Sequence, residues 1–264
     1  MSTAVRRLRF IAGYFKLNLA MAMAYRGSFL AQVFFMAAND ALLLFFWWVL
    51  FRRFPAVAGW SFRDMVVLYA ASATAFGLGA AFCSNFLGLS RLVSEGQLDY
   101  FLAAPQDPFL HVLVARGWFA GWGDIAFGVG AFLLAGDGSP WRLIVFPAVV
   151  LCGAAVLVSF GFIYGSLSFF WGRSEALSGM AFESLLIFSL WPGEIFPAAL
   201  RLLFFTLIPA GLVSHLPVRL LARFDWPLFL ALLAAAAGAV CLARFVFRAG
   251  LRRYESGNLV AMRD

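Results

Sequence analysis

SEGQLDYFLAAPQDP, residues Ser94–Pro108, is the longest polar interruption in the apolar first half of the chain. Gly96 is suited to end a preceding helix in the left-handed conformation. Leu98, Phe101 and Leu102 then fall at i, i+3 and i+4, one face of a short helix. Asp99 lies in the first turn, where the helix dipole favours a carboxylate. Pro105 stops the helix, and the residue before a proline is pushed out of the helical region. The spacing therefore predicts a helix of one to two turns, apolar on one side, between two membrane-spanning segments. Such a helix either docks a soluble partner or rests on lipid headgroups.

The flanking composition supplies the membrane. The chain is 64% hydrophobic and 12% charged, with mean hydropathy +0.90, far from a soluble domain. An all-α, polytopic membrane protein in a lipid bilayer is expected. The net charge of +7 does not indicate nucleic-acid binding, because the basic residues gather at the ends of apolar runs. Cys83, Cys152 and Cys241 lie inside apolar runs, so no disulfide framework is expected. Residues 3–24 carry Arg6, Arg7, Arg9 and Lys16 among apolar residues. Lys16 interrupts the apolar run a signal peptide needs. The segment reads as an uncleaved amphipathic helix on the membrane surface, with Phe10, Tyr14 and Leu17 inward.

Six spans are predicted, at about 27–51, 65–89, 112–134, 143–171, 176–191 and 227–247. Gly136–Pro140 reads as a turn. Residues 192–225 are apolar but cut by Pro192, Pro197, Pro209 and Pro217. Two half-helices that enter and leave one face fit better than a straight seventh span, because irregular backbone at membrane depth must lie against protein or water. Most of the twenty basic residues then fall on the side holding both termini and Ser94–Pro108, which predicts that side as cytoplasmic. Arg52 and Arg53 run against that bias. Small residues recur every fourth position at Ala73/Gly77/Ala81, Gly117/Gly121 and Gly161/Gly165. They permit close helix approach, within one subunit or between two.

No catalytic constellation is present: His111 and His215 sit in separate segments, and neither a zincin motif nor a nucleophile elbow occurs. No metal site is expected. Asp40, Asp124 and Glu183 lie inside spans, with Asn39 beside Asp40. Each charge at a helix centre costs about 2.5–3.5 kcal/mol on insertion scales. They are candidates for a polar, cation-favouring translocation path, or for protonated carboxyls bonded to a neighbouring helix.

Gly96-x-Leu98-Asp99-x-x-Leu102-x-x-Pro105 resembles the cytoplasmic coupling helix of bacterial type-2 ABC transporter permeases. Trp191-Pro192-x-x-Ile195-Phe196-Pro197-x-x-Leu200-Arg201 is similar to that family's extracellular segment before the last span, and Arg252-Arg253-Tyr254-x-Ser256-Gly257 to its C-terminal tail. The three blocks follow the family's order over nearly the whole chain. The resemblance implies a permease subunit of an ATP-driven exporter in a bacterial inner membrane. It implies pairing with a second permease subunit, identical or paralogous, and docking of a cytoplasmic ATPase through Gly96, Leu98, Asp99, Phe101, Leu102 and Pro105. Lys16 is the only lysine and follows Phe15, so no Gly-Lys-Ser/Thr phosphate loop exists here. ATP and magnesium are therefore expected in the partner, with no cofactor in this chain. The alternative is an ATP-independent lipid-handling or secondary transport protein.

Overall fold

The computed structural model describes residues 3–135, 139–203 and 205–254, and among these no strand forms. The chain opens with α1 (Thr3–Ala24) and α2 (Arg26–Arg53), separated by Tyr25 alone. Next come α3 (Phe62–Cys83), a 3-10 turn at Ser84–Leu87, and α4 (Leu89–Ser94). The short α5 (Leu98–Leu102) and α6 (Pro108–Val114) precede α7 (Gly121–Ala135). The long α8 (Pro140–Gly165) continues into α9 (Ser168–Trp171), and α10 (Glu175–Ser189) follows. A 3-10 turn at Gly193–Ile195, α11 (Ala198–Leu203), a π turn at Gly211–His215, α12 (Leu216–Ala222) and α13 (Trp226–Leu251) complete the described chain.

Among the described residues, four helical stretches are long and apolar enough to cross a membrane: Arg26–Arg53, Phe62–Ser94, Pro140–Trp171 and Trp226–Leu251. Gly121–Ala135 and Gly211–Ala222 are shorter apolar helices. At the start of α3, Ser61 and Asp64 form a reciprocal capping box. That helix is the centre of the bundle, with Met65, Leu68, Ala70, Ala75 and Ala80 all fully buried.

The small-residue stripes are used inside this one chain. A Cβ on Gly77 would sit 2.6 Å from the Gly121 carbonyl oxygen, and one on Gly121 would sit 2.8 Å from the Gly77 oxygen. On α8, a Cβ on Gly161 would sit 2.6 Å from the Phe86 ring, and one on Gly165 would sit 2.8 Å from Leu89 Cβ. Backbone-to-backbone contact of this kind admits no larger side chain.

The continuous span expected over 112–134 is instead two helices with a non-helical break at 115–120. The backbone of that break is stitched to the end of α3. Ser84 N–H donates to the Arg116 carbonyl at 2.9 Å, and Trp118 N–H donates to the Ala80 carbonyl at 2.8 Å. The Asn85 amide donates to the Val112 carbonyl at 2.7 Å. Gly117 packs directly on the Ala81 carbonyl oxygen, where a Cβ would overlap it. Tertiary bonds thus replace the helical ones the break gives up.

Residues 192–225 leave and rejoin the bundle at one end. There the Trp60 indole donates to Glu194 Oε2 at 2.5 Å, and Ala222 lines one recess with Arg63, Asp64 and Arg142. Between them, Phe205 and Pro209 reach down to Val156, Tyr164 and Trp171. The outgoing α11 has no buried residue, while the returning Ala210, Val213, Leu220 and Leu221 are buried. In α1 the inward positions are Phe10, Tyr14, Asn18 and Ala22; Leu17, expected inward, is exposed. The four-residue spacing of a straight helix selects Asn18 over Leu17. The turn expected at Gly136–Pro140 has its residues 136–138 outside the described residues, as does the tail block beyond Tyr254.

Candidate functional site: the α4–α6 element and the two chain ends

Gly96 has φ +71° and terminates α4. The Gly96 N–H donates to the Val93 carbonyl and the Gln97 N–H to the Leu92 carbonyl, a Schellman closure. The chain is thereby turned straight into α5. After α5 the Asp107 side chain accepts from Leu110 N–H at 3.2 Å and caps α6, with Pro108 at the first helical position.

Only part of the expected docking face is free. Leu98 is 0% and Phe101 8% exposed, while Leu102 is 40% and Tyr100 69% exposed. Leu98 and Phe101 belong to the main apolar core with Val93 and Phe109, and each such burial is worth about 1.5–3 kcal/mol. They anchor α5 to its own bundle instead of facing outward, and sequence spacing could not distinguish the two. The outward side carries Gln97, Tyr100, Leu102, Ala103 and Pro105, with Asp99 half-buried.

Both chain ends grip this element. From α1, the Tyr14 hydroxyl lies 2.6 Å from His111 Nε2, and Phe10 meets the His111 ring edge-on. His111 also packs edge-on against Phe101, with centroids 4.9 Å apart. Burial holds its imidazole below the usual histidine range. From α13, Arg244 and Arg248 place Nη2 atoms 2.6 and 2.7 Å from Asp107 Oδ2. Partial burial alone would raise the Asp107 carboxyl, but the Leu110 amide and the two guanidinium groups bring it below the usual carboxylate range. The Tyr254 phenol faces Asp99, and burial together with that carboxylate pushes it up to about 12. Phe109, Phe162, Phe169 and Phe247 form a ring cluster beneath the arginines.

The three expected intramembrane acids part company. Asp40 on α2 and Asp124 on α7 lie close together, 8% and 2% exposed. The Oδ2 atom of each is buried without a hydrogen-bond partner. Glu183 is exposed on α10, and Asn39 is exposed on α2. Asp107, Arg244 and Arg248 were not singled out from sequence, and Tyr14 was read only as an inward position of the first helix. The available signals were Asp-Pro at a helix start and two arginines one turn apart.

A profile of the ABC-2 family transporter proteins matches residues 37–257, the stretch that holds α5, Asp107 and both α13 arginines. The chain belongs to that family. It is a multi-pass membrane permease, a transport subunit that is not itself an ATPase, and its family implies an ATPase partner in a transporter complex. No characterised protein and no solved structure matches the chain.

Proposed function

We propose that this ABC-2 permease is the membrane half of an ATP-driven exporter, and that a cytoplasmic ATPase docks on the outward side of α5. The observation that carries the reading is the construction of α5. It is a helix of five residues, anchored by Leu98 and Phe101, with Tyr100 and Leu102 turned to solvent beside Pro105. A short rigid projection of this kind suits a groove on a soluble partner. The positive-inside bias supports a cytoplasmic position for that end, with α1 lying on the inner membrane surface. Six crossings then follow from α2, α3, residues 112–134, α8, α10 and α13, with His111 at the inner membrane surface and residues 192–225 re-entrant from the outside.

Two permease subunits would flank the path. Glu183 supports pairing: it lies mid-helix on the exposed side of α10 with Met180 and Ile187, where lipid would cost about 2.5–3.5 kcal/mol. ATP and magnesium belong to the ATPase, and the Asp40–Asp124 pair is the chain's buried polar contribution near the path. Co-expression with a candidate ATPase tests the reading. The complex is expected to co-purify and to hydrolyse ATP faster than the ATPase alone. Failure to associate with any ATPase, with transport continuing in its absence, would contradict it.

A further inference from the structure

We infer that Asp107 is a positioning residue that transmits ATPase docking on α5 to the last membrane helix, through Arg244 and Arg248. The inference rests on the docking reading above and names the route by which docking is felt.

One carboxylate oxygen, Asp107 Oδ2, accepts from two guanidinium groups that lie one helical turn apart on α13, at 2.6 and 2.7 Å. The other, Oδ1, caps α6 through Leu110 N–H. Asp107 therefore belongs to both bodies at once. It fixes the first turn of α6, five residues beyond α5, and holds the inner end of α13. The contact is more than one surface ion pair. Directly beneath it Phe109 meets Phe247, with centroids 5.6 Å apart, and beside it Tyr254 faces Asp99 of α5. One turn further on, Gly250 lets α13 pack directly on α9, because a Cβ there would overlap the Phe169 ring.

The energetics favour positioning over stabilisation. The arginine side chains are 41% and 55% exposed, and pairs of that exposure add little to stability. Direction is what the double contact supplies. Two charge-assisted bonds to one oxygen hold α6 at one rotation about α13, so a displacement that α5 passes to α6 through the Phe101–His111 contact is delivered on to α13. Away from this link α13 packs inward through Leu232, Ala236, Ala243 and Phe247 and leaves Trp226, Leu230, Leu242 and Phe245 exposed on its outer side.

Asp107→Asn separates the two jobs of the side chain, because asparagine remains a good helix cap while losing its charge. Spin labels on Pro105 and Arg252, in the chain alone, read the link itself. Their distance distribution is expected to broaden in Asp107→Asn and in Arg244→Gln/Arg248→Gln, and to broaden no further in the triple variant, as residues of one network behave. An unchanged distribution in Asp107→Asn overturns the inference. Co-purification and ATPase stimulation then read transmission. Asp107→Asn is expected to bind the ATPase as the natural chain does, yet to lose most of the stimulation. Binding with full stimulation overturns the inference even if the distances broaden. Should the natural chain itself bind no ATPase, the docking reading fails, and transmission of docking fails with it.

Discussion

At the residue scale, Asp40 and Asp124 carry the sharpest distinction between charge and shape. The two carboxyls face each other across the α2–α7 contact, and two ionised carboxylates at that range in a low-dielectric site would repel. One shared hydrogen would satisfy both. Asp40→Asn supplies that hydrogen from an amide and is expected to leave thermal stability in detergent nearly unchanged. Asp40→Ala strands the Asp124 oxygens and is expected to cost about 1–3 kcal/mol. Equal stability of the two variants would show that the pair makes no bond.

His111 sets a pH dependence of its own. The groups that face it are Phe10 and Tyr14 from α1 and Tyr100 and Phe101 from α5; none of them is a carboxylate. Because its folded value lies below the unfolded one of about 6.5, the unfolded chain takes up the proton first. Stability from this group is therefore complete above the unfolded value and is lost as pH falls from there through the folded value. A melting series across mildly acidic pH is expected to show that loss in the natural chain and less of it in His111→Gln. An identical slope in both would assign the effect to other groups.

At the element scale, α5 shows what the sequence could and could not reveal. Its ends were legible, because Gly96 and Pro105 act through backbone geometry that any chain obeys. Which side of it faces the core was not legible. Leu98, Phe101 and Leu102 look equivalent by spacing, and the surroundings bury the first two. The break at 115–120 was hidden for a related reason. Arg116, Gly117 and Trp118 sit between apolar runs, and only the free bonding groups at the end of α3 make an extended segment there favourable. The stripe in α3 was legible as a close-packing device but not as to its partner, which is α7. Gly77→Val is accordingly expected to force α3 and α7 apart, with a loss of about 1–3 kcal/mol or more. A fully stable Gly77→Val would mean that the two helices pack more loosely than described.

At the scale of the whole molecule, the sequence announced a helical bundle, and residues 192–225 leave and rejoin it near Trp60 and Arg63. Composition could not show that both chain ends converge on α5 and α6. That convergence depends on Tyr14 meeting His111 and on Arg244 and Arg248 meeting Asp107, residues about a hundred positions or more apart. The exposed side of α10 makes a separate statement about assembly. A cysteine replacing Gly179, in a background without Cys83, Cys152 and Cys241, is expected to cross-link two permease subunits in membranes. Exclusive monomer under oxidising conditions would place a different face at the pair's centre.

The central claim is that the outward side of α5 holds the ATPase while its inward side holds the permease together. Leu102→Asp, at an exposed position, reads the first half without disturbing the second. The affinity of the ATPase for this variant in nanodiscs is the direct measurement. A drop of about tenfold or more is expected, the effect of losing an interface contact worth about 1.4 kcal/mol, with membrane insertion and melting temperature unchanged. Affinity equal to that of the natural chain would contradict the account.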